Sequence, residues 1–189
     1  NHPKADNVCV DGDKYFYSNK LYYRSGDESK KFTGNKDNYI AHYDPDTGTL
    51  TLKNYSGKGI RVDGVGRTDI TVVLIGTNII KDGSLENAVG GDITITSSGS
   101  GTLSITNILS GKNPAIGIET GLASSYKTGN VTITGSAKVI IDVTHNGTST
   151  YEKAYGIFAK QNITISESAS VDITCATPSN TVGGGNCNG

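Results

Sequence analysis

Four short stretches repeat one pattern along the chain: Ile70-Thr71-Val72-Val73, Ile93-Thr94-Ile95-Thr96, Val131-Thr132-Ile133-Thr134 and Ile163-Thr164-Ile165-Ser166. Three alternate a branched apolar residue with a small polar one throughout, and the first ends Val72-Val73. Each follows an Asp or Asn: Asp69, Asp92, Asn130 or Asn162. A period of two marks a half-buried strand, and the restricted χ1 of Ile, Val and Thr suits a pleated surface. A second alternating piece follows each stretch, at residues 77–80, 102–105, 138–141 and 170–173, with Thr49-Leu50-Thr51-Leu52 as an earlier copy. A third piece follows at 59–62, 87–89, 115–118 and 154–157.

The unit is thus three short strands. First strands begin at 70, 93, 131 and 163, and the unequal spacing falls where turn residues cluster, at 107–114, 120–129 and 144–153. One such unit cannot bury its apolar face alone; stacking on its neighbours does so. The expectation is an all-β fold, a right-handed single-stranded parallel β-helix of about five three-strand rungs. Inward columns would be Ile70, Ile93, Val131 and Ile163, and Leu52, Ile105, Ile141 and Ile173. The alternative is a β-sandwich of hairpins, but no two-residue Asn-Gly or Asp-Gly turn joins one Ile-Thr run to the next.

The chain reads as a single domain over 1–189. Residues 1–38 form an N-terminal cap, in which Tyr15-Phe16-Tyr17 and Leu21-Tyr22-Tyr23 make an aromatic β-hairpin around Ser18-Asn19-Lys20. Rungs occupy 39–175, and 176–189 is a Gly-rich tail or a worn final rung. Asp44-Pro45-Asp46-Thr47-Gly48 reads as a turn: it lacks the remaining ligands of a Ca²⁺ loop.

Composition narrows the partners. Lys+Arg 17 against Asp+Glu 18 gives a charge of -1, which removes the electrostatic case for nucleic acid or an anionic membrane. No apolar run approaches a membrane span, so membrane insertion is not expected. The chain opens on the polar Asn1-His2-Pro3-Lys4, with no signal peptide in view. Gly supplies 25 of 189 residues and the hydrophobic share is 34%, consistent with a narrow tubular core.

The order Asp44-Pro45-Asp46-Thr47-Gly48-Thr49-Leu50-Thr51-Leu52, Gly59-Ile60, residues 70–74 and Gly76-Thr77-Asn78-Ile79 resembles a group of bacterial surface proteins. These are right-handed β-helix carbohydrate-binding domains, related in fold to pectate lyases. Gly-Thr-Leu-Ser-Ile at 101–105 and Asn-Val-Thr-Ile-Thr-Gly at 130–135 fit the same pattern, so the resemblance covers about 39–175. It implies a secreted or cell-surface module that binds plant cell-wall polysaccharide or mediates adhesion, without catalysis.

The residues give this reading a place. Tyr126, Tyr151, Tyr155 and Phe158 fall in the long loops and third strand, beside Lys127, Lys153, Arg61 and Glu119, and together would wall a ligand-binding groove. Its lysines would suit an acidic sugar. Asp69 and Asp92 occupy equivalent places on adjacent rungs and are the candidate Ca²⁺ ligands; Asn130 and Asn162 continue the column, so a hydrogen-bonded Asx ladder competes with a metal site. A polysaccharide lyase or hydrolase needs a row of acidic residues on an outward strand face, yet the first-strand outward positions are Thr71, Thr94, Thr132 and Thr164. That Thr column also admits an ice-binding array. His2, His42 and His145 read as surface residues. Cys175 and Cys187 could bridge, with Cys9 as a competitor; the oligomeric state is open.

Overall fold

The computed structural model describes residues 7–28, 30–64, 66–122, 128–147 and 153–177, and the backbone of 186–188. Four strands come first: β1 (Asn7–Val10), β2 (Lys14–Tyr15), β3 (Tyr22–Tyr23) and β4 (Ala41–Asp44). The chain then runs in threes. The first set is β5 (Thr49–Lys53), β6 (Ser56–Gly57) and β7 (Ile60–Asp63); the next is β8 (Ile70–Ile75), β9 (Thr77–Lys81) and β10 (Leu85–Asn87). Then come β11 (Ile93–Ser97), β12 (Thr102–Leu109) and β13 (Ala115–Thr120), followed by β14 (Val131–Gly135), β15 (Lys138–His145) and β16 (Lys153–Ala159). The last set is β17 (Ile163–Ile165), β18 (Ser170–Ala176) and β19 (Asn186–Asn188). Among the described residues there is no helix.

These strands form three sheets, visited in fixed rotation from β5 onward. The first runs β17-β14-β11-β8-β5-β4-β3, the second β18-β15-β12-β9-β6, and the third β19-β16-β13-β10-β7-β1-β2. From β5 onward the pairing is parallel, each strand bonding to its equivalent one turn away. The chain is therefore all-β and built of parallel sheets.

Register matches the expected columns in most places. Ile70, Ile93, Val131 and Ile163 are direct partners in the first sheet, and Ile105, Ile141 and Ile173 in the second. Inward positions of β11 and β14 are fully buried, whereas Ile163 and Ile165 on the last turn are each 50% exposed. Leu52 departs from the expectation. Its strand pairs with β8, placing Leu52 beside Leu74, so residues 49–52 begin the first sheet and are not a copy of the second-strand piece. The turn at 44–48 folds β4 back antiparallel onto β5, and this fixes which sheet the strand enters. The turn itself forms as expected, with the Asp46 amide donating to Asp44 Oδ1 at 3.0 Å.

The aromatic hairpin also needs correction. β2 pairs with β1, and β3 pairs with β4 in another sheet, so Tyr15-Phe16-Tyr17 and Tyr22-Tyr23 never face each other as a ladder. The reason is local. Tyr17 takes a left-handed φ of 49°, and the amides of Asn19 and Leu21 bond back to Phe16 and Asn19, turning the chain between sheets. Phe16 is left buried within the core against Phe32 and Tyr43. Asp11 joins these antiparallel strands to the first parallel turn. Its carboxylate accepts from Tyr23 Oη at 2.7 Å and from the Lys58 amide at 2.9 Å, while its own amide donates to Tyr55 Oη.

The third sheet carries a kink repeated in β13 and β16. Ala115 and Ala154 point inward, as do Ile118 and Ile157, so parity breaks across Gly117 and Gly156. A Cβ on Gly117 would overlap the Ile141 Cγ2 methyl, and one on Gly156 would overlap that of Ile173. Glycine is what lets the third sheet approach the second here. Gly117→Ala and Gly156→Ala should each lower stability by about 1–3 kcal/mol through overpacking. Gly99→Ala, with open space around the added methyl, should change it far less. Urea denaturation of the three variants checks this; equal midpoints would refute it.

Candidate functional site

The outer face of the third sheet gathers the chemistry-bearing side chains. The third sheet's ladder makes Arg61, Glu86, Glu119 and Phe158 successive partners on β7, β10, β13 and β16. Their sequence neighbours Ile60, Leu85, Ile118 and Ile157 point into the core, so the four point outward. Tyr155 precedes the kink and is partnered with Ile116. Its ring meets that of Phe158 edge-on, with centroids 5.5 Å apart. Lys153 opens the same strand, and Lys160 Nζ lies over the Phe158 ring at 5.3 Å.

Of the expected groove residues, the structure therefore brings Arg61, Glu119, Lys153, Tyr155 and Phe158 onto one face. Tyr126, Lys127 and Tyr151 lie outside the described residues. Glu86 is the member that sequence reasoning missed. The third-strand piece was aligned at Asn87-Ala88-Val89, but the strand is Leu85–Asn87, with Leu85 beside Ile60 and Ile118. Asn87 misled because it is polar yet fully buried, its Nδ2 donating to Thr68 O at 2.8 Å.

Charge along this ladder is unevenly paired. Arg61 donates from Nε to Asp63 at 2.7 Å and from Nη1 to both oxygens of Glu86 at 2.9 and 2.8 Å. Burial opposes the guanidinium's charge, but these carboxylates hold its pKa above the ordinary value. Burial pushes the Glu86 carboxyl up, against the pull of Arg61. Glu119 is only 8% exposed and has no hydrogen bond or ion pair among the described residues. Burial, and then the Glu86 charge, push its carboxyl up to about 7. A depression beside Arg61 and Glu86 is lined by Lys58, Asp82 and Ser84 as well.

The Asp69 and Asp92 positions form a hydrogen-bond ladder. Asp69 Oδ1 accepts from the Asp92 amide at 2.8 Å; Asp92 Oδ1 accepts from the Asn130 amide, Asn130 Nδ2 and Arg67; Asn130 Oδ1 accepts from the Asn162 amide. Each side chain thereby holds the backbone of the next turn. The competing hydrogen-bonded Asx arrangement is thus present at the candidate Ca²⁺ ligands Asp69 and Asp92, and among the described residues no group of three or more His, Cys, Asp or Glu could hold a metal. His145 is fully buried, unlike the surface residue expected, with Nε2 at 3.0 Å from Asn113 O and Nδ1 accepting from the Gly147 amide. Cys9 is a buried thiol that burial pushes up to about 11. A Cys175–Cys187 bridge falls outside the described residues because it needs the Cys187 side chain.

Comparison with protein-family models, curated proteins and solved structures finds no match to this chain.

Glu119 gives the face a pH signature. Its folded pKa of about 7 lies above the ordinary 4.5, so the folded state holds a proton that the unfolded chain releases. Stability from this group is fully present below pH 4.5 and declines as pH rises through about 7, by up to about 3 kcal/mol. Glu119→Gln should therefore gain on the unsubstituted protein between pH 4.5 and 8 in thermal unfolding. A constant difference across that range would contradict the assignment.

Proposed function

We propose that the chain is a right-handed parallel β-helix and that the outer face of its third sheet binds polysaccharide without catalysis, as part of a secreted or cell-surface module. The handedness rests on the strong preference of parallel crossover connections for the right-handed form. The three-sheet rotation is what a three-strand rung produces. The resemblance to bacterial carbohydrate-binding β-helices points the same way.

The observation that carries the binding reading is the pairing of Tyr155 and Phe158, two rings side by side on the outer face of β16 with Glu119 on the neighbouring strand. Sugar rings present axial C–H faces and hydroxyls, and an aromatic surface flanked by hydrogen-bonding groups matches both. Catalysis fits less well. Proton abstraction by Arg61 would require it to lose a proton while held by Asp63 and Glu86, whose charges oppose that loss. Paired-carboxylate hydrolysis needs one carboxyl acting as acid and a second free to act as nucleophile or base. Here both oxygens of Glu86 accept from Arg61.

A glycan array followed by titration tests the reading. Tyr155→Ala and Phe158→Ala should each weaken binding about tenfold, equivalent to about 1.4 kcal/mol. Retention of full affinity in both variants would remove the face from consideration, and release of sugar fragments on incubation with pectin would replace binding by catalysis.

A second reading has its own observation. The first-sheet register aligns Thr49, Thr71, Thr94, Thr132 and Thr164 as one outward column, with Thr51, Val73, Thr96, Thr134 and Ser166 beside it. Correct placement of β5 adds a fifth Thr to the four seen in sequence. A flat double row of hydroxyl and methyl groups suits an ordered water lattice. Under this reading the protein inhibits ice recrystallisation, and Thr94→Tyr with Thr132→Tyr abolishes the effect; inactivity of the unsubstituted protein would dismiss it.

A further inference from the structure

Glu119 poses a chemical question that the sugar-binding reading leaves open: what completes its coordination. A carboxyl on a residue only 8% exposed is costly to ionise without a partner. Among the described residues, two cations of this face are already engaged elsewhere. Arg61 spends Nε on Asp63 and Nη1 on Glu86, and Lys160 sits over the Phe158 ring. Glu119 itself has no hydrogen bond or ion pair among the described residues, although it stands between Glu86 and Phe158 on the outer ladder.

Adjacent parallel strands lie about 4.8 Å apart, so Glu86 and Glu119 present two carboxyl groups one strand apart. Arg61 faces Glu119 only across Glu86. A uronate at Glu119 would bring another carboxylate beside these two, and like charges at such spacing repel strongly in a partly desolvated site. The expectation of an acidic sugar, drawn from the lysines, is therefore at odds with the charge on this part of the face. A protonated amine reverses the sign of each of these interactions. It can donate charge-assisted hydrogen bonds to Glu119, and its sugar ring can extend along β16 toward the Phe158 and Tyr155 rings.

Resting on the polysaccharide-binding reading, we propose that Glu119, beside the Arg61-paired Glu86, forms the subsite for the free amino group of a 2-amino-2-deoxyhexose unit, so that the face selects a deacetylated, glucosamine-type glycan. The raised Glu119 carboxyl is consistent with this: its ionised form is disfavoured in the empty site and is stabilised when an ammonium group docks.

The test is a set of calorimetric titrations with four oligosaccharides of equal length: β-1,4-linked glucosamine, its N-acetylated form, a neutral glucan and oligogalacturonate. The expected result is tightest binding by the glucosamine oligomer. Glu119→Gln should remove about tenfold or more of that preference, read as the ratio of the glucosamine oligomer's affinity to the neutral oligomer's. Gln preserves size and hydrogen bonding, and coincident circular dichroism spectra would establish that the variant folds. Two outcomes overturn the amine subsite while the sugar-binding reading survives: tighter binding of galacturonate or N-acetylated oligomer, or a glucosamine preference that Glu119→Gln leaves intact. Failure of all four to bind, together with an empty glycan array, removes the sugar-binding reading and the subsite with it. Capture of a lysine-rich peptide through Glu119, with no oligosaccharide bound, would assign the carboxyl pair to a protein partner and likewise overturn it.

Discussion

In-register pairing of each strand with its equivalent one turn earlier is the constraint from which the remaining structure follows. Side chains at the same place in successive turns become neighbours, however many residues separate them. Asp69 and Asp92 are 23 positions apart, Asp92 and Asn130 are 38 apart, and Asn130 and Asn162 are 32 apart, yet each pair is joined by a hydrogen bond. The connecting segments absorb the difference in length. What must be conserved from turn to turn is parity, since a slip by one residue would send every inward side chain out.

The same rule turns a sequence of isolated charges into a surface. Arg61, Glu86 and Glu119 are distant along the chain, and only stacking makes them a ladder in which one cation is shared by two carboxylates and a third is left over. Burial raises the cost of that remainder. The third sheet thus combines closely spaced carboxyl groups with two aromatic rings, whereas the outward face of the first sheet is dominated by hydroxyl and methyl groups. Two faces of one coil carry different chemistry because the two sheets draw on different positions of the repeat.

Legibility in the sequence followed the strength of the alternation. The Ile-Thr runs at 70, 93, 131 and 163 gave their columns directly, because β-branched residues alternate there with small polar ones. Residues 49–52 share that alternation but not their sheet, since membership is decided by the turn at 44–48, whose antiparallel return periodicity cannot show. Leu85-Glu86-Asn87 was misplaced because buried Asn87 breaks the apolar pattern, its polarity answered by the Thr68 carbonyl. That single error hid Glu86 and with it the carboxyl pair. The kinks at Gly117 and Gly156 were visible as Ala-Ile-Gly-Ile and Ala-Tyr-Gly-Ile, but their cause, the approach of Ile141 and Ile173 from the second sheet, is a tertiary fact.

The two sides of the stack differ in kind. On one, β1 to β4 run against the grain and are bolted on by Asp11, with Phe16, Tyr23 and Tyr43 sealed beneath. On the other, β17 holds Ile163 and Ile165 half open to water, over a turn whose own isoleucine and valine are completely shielded. Local opening should accordingly cost least at β17, where the fewest apolar side chains are withdrawn from water.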